Sequence, residues 1–252
     1  MRDPWIYQAT VESIRVNTRN GVTEIALVLV CKRPTLGIAK QRLATCLGRV
    51  TAKRLADALL ACALEDARDW HGPVAIAPAH ISDDAWAASL LPQLQPKTHI
   101  VPQADGNLGQ RLNLIDHNLR ARGLEQLIYI GSDAPVLTAA DYAAAREALL
   151  NHDSVLKPAA DGGVVLMGSR QQWPMLDALP WSTRDLGSAL AGCCRATGQS
   201  LAILSQGFDV DEEQDLFRLI VELKADQRPA RRALHELTCD IVSMGQPGHA
   251  QV

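Results

Sequence analysis

Short apolar, β-branched runs alternate along the chain with stretches of helical period. The runs EIALVLVC (24–31), VAIAP (74–78), THIVP (98–102), LIYIG (127–131), DSVLKP (153–158), GVVLMG (163–168) and SLAILS (200–205) read as strands. Helices are expected over 38–69, 83–94, 108–122, 138–151, 183–197 and 211–224. Strands that are apolar at nearly every position need cover on both faces, which predicts an α/β fold: three layers, α/β/α, around a mostly parallel mixed sheet. DSVLKPAADGGVVLMG breaks the rhythm, because its short Gly-rich turn leaves no room for a crossover helix; an antiparallel hairpin is expected there. Thr138, with Asp141 three residues on, announces the helix YAAAREALL as N-cap and capping-box partner. Pro229 opens one more helical pattern, ARRALHELTCDIV, and the closing GQPGHAQV reads as frayed.

Composition narrows the class. The 252 residues are 47% hydrophobic and 21% charged, which supports a large buried core and excludes a disordered chain. No composition shift cuts the interior, so the chain divides into an extension (1–23), one large domain (24–225) and a C-terminal helix with a tail (226–252). The extension reads as an extra strand, an arm in a homodimer, or a start-site artefact. A formal charge of −3 gives no footprint for nucleic acid. The six cysteines lack C-x-x-C spacing and the seven histidines are scattered, which suits a reducing compartment and argues against a zinc site. There is no signal-like apolar region and no run of membrane-spanning length, so a cytoplasmic location is expected.

Candidate chemistry sits where strands end. CKRPTLGIAKQRLA follows the first strand and gathers Lys32, Arg33, Lys40 and Arg42 around Pro34 and Gly37; such a turn offers phosphates both backbone N–H groups and positive charge, or is a solvated basic turn. In IYIGSDAPVLTAADY an apolar run ends on Asp133 just before a helix, where open α/β sheets bind ligands. A turn aspartate bonding local backbone is the plainer alternative, and a hard oxygen ligand for Mg²⁺ the chemical one. Asp161-Gly162-Gly163 is a hairpin turn whose second glycine also admits another molecule near the backbone. QADGNLGQRLNLID carries a Gly-x-x-Gly turn at Gly106 and Gly109. FDVDEEQDL places Asp209 and Asp211 where they could bind metal or serve an acidic helix N-terminus. In PWSTRDLGSAL, Ser182 or Thr183 is a fair N-cap, and Trp181 fits the core better than a stacking platform.

Taken in order, K-x-P-x-x-G-x-x-K-x-R-L, Q-x-x-G-x-L-G-x-R, GSDAP, P-x-x-DGG and WST resemble the DUF2064 family over about residues 24–215. That resemblance implies the nucleotide-diphospho-sugar transferase (GT-A-like) fold, shared with molybdenum-cofactor guanylyltransferases and 2-phospholactate guanylyltransferase. It implies a nucleotide phosphate loop at Lys32, Pro34, Gly37, Lys40 and Arg42, with Gly106 and Gly109 also on the nucleotide side. Asp133 would be the metal-binding aspartate, Asp209 and Asp211 further metal contacts, and Asp161, Gly162 and Gly163 the acceptor side. The sequence departs from the family pattern at Gln41, at Asn107 in place of an aspartate, and at Val164 in place of an aromatic. The expected activity is Mg²⁺ (or Mn²⁺)-dependent nucleotidyl transfer, with Lys40, Arg42 and Asp133 as catalytic groups, a nucleoside triphosphate as donor and a small molecule as acceptor. Glycosyl transfer from a nucleotide sugar and a non-catalytic nucleotide-binding module are the alternatives.

Overall fold

Strand β1 (Ile25–Cys31) is buried along nearly its whole length, its odd residues facing one side of the sheet and Ala26 and Val28 the other. The structure, a computed structural model, describes residues 24–37, 40–90 and 98–245. The 1–23 extension, residues 38–39 and 91–94 of two expected helices, and the tail from 246 lie outside the described residues.

After β1 come α1 (Gln41–Leu47), α2 (Arg49–Asp69), β2 (Val74–Pro78), a single 3₁₀ turn (Ile81–Asp83) and α3 (Asp84–Ser89). Then follow β3 (Thr98–Ile100), α4 (Leu108–Ala121), β4 (Gln126–Gly131), α5 (Ala139–Asn151), β5 (Ser154–Pro158) and β6 (Val164–Ser169). The chain continues through α6 (Leu186–Ala196), β7 (Leu201–Ile203), α7 (Glu213–Leu223) and α8 (Pro229–Gly245). The strands form one sheet in the order β3-β2-β1-β4-β6-β5-β7. Every neighbouring pair is parallel except those made by β6, which runs antiparallel between β4 and β5. The expected hairpin is therefore present, and it is what makes the sheet mixed.

Both faces are covered, as the continuous apolar strands require. One face packs Leu60 and Leu64 of α2 and Tyr142, Ala145 and Leu149 of α5 against β1, β2 and β4. The other packs Leu112, Ile115 and Leu119 of α4 and Leu190 and Cys194 of α6. A third cluster lies outside the sheet, where α2 turns Leu55, Leu59 and Cys62 toward α7 and α8 through Leu216, Leu219, Leu234 and Ile241. The C-terminal helix, set apart as a trailing segment by sequence, thus shares its core with α1, α2 and α7. Arg231 pins it: fully buried, it pairs with Glu65 at 2.9 Å and Asp66 at 2.6 Å on α2.

Several expected boundaries shift for local reasons. The helix expected over 38–69 is two helices, because Gly48 adopts φ 78° and turns the chain between them. The helix expected from 183 begins at Leu186: neither Ser182 nor Thr183 is the N-cap, which is Asp185, while Thr183 bonds Pro180 and the Asp185 amide. Helix α3 stops at Ser89, and β3 and β7 are shorter than their apolar runs. Thr138 caps α5 in a reciprocal box with Asp141, as expected; Asn107 and Gln110 make the same box at α4, within the expected Gly-x-x-Gly turn.

Candidate functional site

Neighbouring strands β1 and β4 leave the sheet in opposite directions, β1 toward β2 and β4 toward β6, so the crevice between their carboxyl ends is the topological switch point. The loop after β1 supplies Lys32, Arg33, Pro34 and Lys40 to that crevice, and the turn after β4 supplies Ser132 and Asp133. The segment after β7 arrives by backbone pairing. Gly207 N–H donates to Pro158 O at 2.8 Å, and Val210 N–H donates to Asp133 O at 2.9 Å. The second bond brings Asp209 and Asp211, the neighbours of Val210, to Asp133, and carboxylate oxygens of all three lie within 4.8 Å of one another.

Lys40 joins them from the other wall. Its Nζ donates to Asp133 Oδ2 at 3.2 Å and to Asp211 Oδ1 at 2.7 Å, from a backbone in the left-handed region (φ 44°, ψ 60°). Burial depresses the ammonium, but the charges of Asp133 and Asp211 outweigh it and hold its pKa above the ordinary lysine range. Arg42 stands at the rim, 3.6 Å from Glu212 and 4.0 Å from Asp211, with 65% of its side chain exposed. Asp209 is pushed up to about 7, first by burial and then by the negative charges of Asp133, Asp161 and Asp211.

A divalent cation fits this donor set. Hard dications take carboxylate oxygens, and three come together here, with Asp209 raised first by burial and then by its acidic neighbours. Asp161 belongs to the edge of the group: its Oδ1 accepts from Gly163 N at 2.8 Å in the β5–β6 turn. That turn is fixed at Gly162, whose φ is 95° and where a Cβ would fall 1.9 Å from Arg184 O. Gly162 O also accepts from Gly187 N at 2.8 Å, clamping the turn to the start of α6.

The crevice opens into a cavity of about 750 Å³. Lys32, Pro34, Lys40, Asp133 and Asp209 line it, whereas Arg42 and Asp211 flank it and Gly37 lies in the turn outside. Gly106 and Gly109 do not line it. Gly109 packs beneath Leu176 O and the Trp181 ring, and Gly106 O accepts from Arg111 Nε at 2.8 Å, so Leu108 and Arg111 are the residues of this segment that face the cavity. Asp161, Gly162 and Gly163 do not line it either; the next residue, Val164, does. A second cavity, about 560 Å³, lies across the same loop between Arg33, Pro34, Lys53, Leu60 and Trp86, and receives none of the clustered carboxylates.

Sequence reasoning missed Gln103, Arg111, Tyr129 and Ser182 on the cavity wall, and assigned Trp181 to the core although it also faces the cavity. Gln103 and Arg111 end the Q-x-x-G-x-L-G-x-R motif, so the signal was there. Gln103 is 8% exposed and its Nε2 donates to Ala77 O at 2.8 Å, an orientation that turns Oε1 away from that carbonyl. Tyr129 was hidden inside an apolar run; its hydroxyl donates to the buried Asp116 at 3.0 Å.

Comparison with known proteins bears on the fold and the family. No functionally curated protein matches the chain in sequence. A provisionally named nucleotide-diphospho-sugar transferase from Desulfovibrio desulfuricans G20 superposes with a TM-score of 0.75 at 20% identity, over 89% of this chain and 97% of its own. The 4-diphosphocytidyl-2C-methyl-D-erythritol synthase of Anaerococcus prevotii DSM 20548 superposes with a TM-score of 0.50 at 9% identity, over 78% of this chain and 96% of its own. At such identities the likeness is one of fold, and the fold is that of the nucleotide-diphospho-sugar transferases. The family pattern described as an uncharacterized protein conserved in bacteria (DUF2064) matches residues 55–183, half of the chain. This chain therefore belongs to the DUF2064 family.

Proposed function

We propose that this protein is a metal-dependent nucleotidyltransferase that moves a nucleoside monophosphate from a nucleoside triphosphate to a small phosphorylated or hydroxyl-bearing acceptor. The observation carrying the reading is the convergence of Lys40 with Asp133 and Asp211 beside a cavity that Lys32 also lines. The acceptor oxygen bonds to the α-phosphorus as the bond to pyrophosphate breaks. Such a reaction needs in-line positioning and neutralised charge, not a protein nucleophile. Lys32 and the turn around Pro34 and Gly37 hold the phosphate chain. Lys40 and Arg42 meet the charge that gathers on the phosphorus and the leaving group, a task for which the arginine fork is the better shape. Leu108 and Arg111, carried by the Gly106–Gly109 segment, bound the nucleotide side, and Asp161, Gly162 and Gly163 the acceptor side. Held by Asp133, Asp209 and Asp211, Mg²⁺ or Mn²⁺ would supply Lewis-acid neutralisation of the phosphate oxygens.

One observation favours glycosyl transfer from a nucleotide sugar as the second reading. Asp209 and Asp211 form an Asp-x-Asp pair that joins Asp133 in the cluster. The two readings share the diphosphate and part at the donor. A melting-temperature screen of triphosphates and nucleotide sugars, with and without Mg²⁺ or Mn²⁺, separates them, since a ligand at a hundredfold excess over its Kd adds about 2.7 kcal/mol. Triphosphates with metal are expected to stabilise most, with pyrophosphate released once the acceptor is found. A preference for sugar nucleotides favours glycosyl transfer, and stabilisation without turnover of any donor–acceptor pair favours a binding module. No response to either donor, or unchanged metal-dependent turnover in Asp133→Ala, refutes the assignment.

A further inference from the structure

We infer that the carboxylate cluster takes its divalent cation only together with a polyphosphate, because the Lys40 ammonium is already seated on the cluster and must leave it for the phosphates. The inference rests on the metal and polyphosphate reading above and concerns the order in which that site fills.

Lys40 holds the oxygens that a cation needs. Its Nζ sits on Asp133 Oδ2 at 3.2 Å and Asp211 Oδ1 at 2.7 Å, and only 15% of its side chain is exposed. Among the described residues no other cation pairs with Asp133; Asp211 has only the exposed Arg42, at 4.0 Å. The ammonium is thus the resident counter-ion of the cluster. Mg²⁺ binds carboxylate oxygens at about 2.0–2.1 Å, so a dication on the same two oxygens would sit no more than about 4 Å from an unmoved Nζ. Like charges that close repel strongly in a half-buried crevice, so the two occupants compete.

Lys40 can yield because its charge rides on a flexible four-carbon stem while its backbone stays fixed. Lys40 O accepts from Ala44 N at 2.8 Å and starts α1, so the Cα keeps its place when the side chain swings. The side chain lines the same cavity as Lys32 and Arg33, the wall a phosphate chain would occupy. A polyphosphate draws the ammonium off the carboxylates, and a dication fills the place it leaves. Each ligand removes the obstacle to the other, and linkage makes the effect reciprocal. A cation alone must displace the lysine into solvent, and a polyphosphate alone must leave Asp133 without its counter-ion and Asp211 with only the exposed Arg42.

The test uses melting of the full chain with Mn²⁺ alone, with tripolyphosphate alone, and with their preformed complex. In the wild type, the complex is expected to raise Tm well beyond the sum of the separate shifts. In Lys40→Met, Mn²⁺ alone should stabilise the protein, with an affinity higher than the wild type's by about tenfold or more, and the extra gain from the complex should shrink. Lys40→Gln should behave like Lys40→Met, and Asp133→Asn should abolish the Mn²⁺ response in either background. Shifts in the wild type that merely add overturn the inference without any variant. So does a Lys40→Met protein that binds Mn²⁺ no more tightly than the wild type, and in both cases the transferase reading stands. A wild type that ignores the complex overturns both.

Discussion

Replacing Arg231 with methionine tests how the site loop is held from behind. The side chain is fully buried and joins three parts of the fold: Nε donates to Pro135 O at 3.0 Å, just beyond Asp133, and the terminal nitrogens reach Cys62 O, Glu65 and Asp66 on α2. Asp66 keeps Tyr142 at 2.8 Å and Arg228 at 3.1 Å, so Arg231→Met weakens the carboxylate's support without removing it. Pro135 O loses its donor, at about 1–3 kcal/mol, and breaking a buried ion pair from one side costs about 3–5 kcal/mol in all. For a chain of this size that is a fall in Tm of about 6–20 °C. The loss also carries a pH signature. Burial pushes the Asp66 carboxyl upward, and Arg231 is the largest influence opposing it. Without Arg231 the folded-state value climbs further above the unfolded value of about 3.9. A raised folded-state carboxyl stabilises fully below the unfolded value, and that stability disappears as pH rises through the folded one. Urea denaturation across pH 4–8 should therefore show Arg231→Met losing stability toward high pH faster than the wild type. Adding Asp66→Asn should flatten the slope. A loss under about 1 kcal/mol, or a slope like the wild type's, would refute the clamp.

Gly162→Ala meets Arg184 O at 1.9 Å from a left-handed backbone, so the β5–β6 turn must move; a cost of about 1–3 kcal/mol or more is expected in urea melts, with weaker binding of the Mn²⁺–tripolyphosphate complex. Asp153 is held down to about 2, first by the Ser200 hydroxyl at 2.6 Å and then by the Ser200 N–H at 2.9 Å. Its stabilisation is present above pH about 4 and drains away between about 4 and 2, so Asp153→Asn should remove that part of the acid unfolding transition seen by circular dichroism. Arg42→Lys, at a largely exposed side chain, should change stability by less than about 0.5 kcal/mol yet lower turnover, because a lysine cannot fork onto phosphate. Equal turnover in the two proteins would remove Arg42 from the reaction.

The layered architecture was legible because burial on both faces leaves a mark along a whole strand, and β1, β2 and β4 carry it over nearly all their residues. The hairpin was legible from chain length alone. What stayed hidden was decided by pairing across long separations. Helix α8 read as an appendage because Arg231, Glu65 and Asp66 give no local sign that they will meet. The break at Gly48 sits inside an otherwise unbroken helical period, and only its positive φ ends α1. In the site, Lys40, Asp133, Asp209 and Asp211 were named because each lies at a strand end in a chemically suggestive stretch. Gln103 was not, since a polar residue at the close of an apolar run reads as punctuation until a cavity is seen beside it, and Tyr129 was not, since inside such a run it reads as core.

Strand β6 explains why the acids gather on one side of the crevice and the cations on the other. Running against its neighbours, it starts where they finish, so the Asp161–Gly163 turn lies at the same sheet edge as the carboxyl ends of β1 and β4. In a purely parallel sheet, reaching that edge again takes a crossover of a dozen residues or more. The segment after β7 then follows the edge strand by strand, through the Ala159–Gly207 bridge and the Val210–Asp133 bond, and brings Asp209 and Asp211 with it. Among the described residues lining the cavity, Lys32, Arg33 and Lys40 come from the loop after β1, on the other side of the switch point, and Arg111 joins them from the start of α4. A ligand lying across the crevice therefore meets positive charge from one half of the sheet and an acidic, cation-seeking group from the other, and Lys40 is the residue through which the two halves already touch.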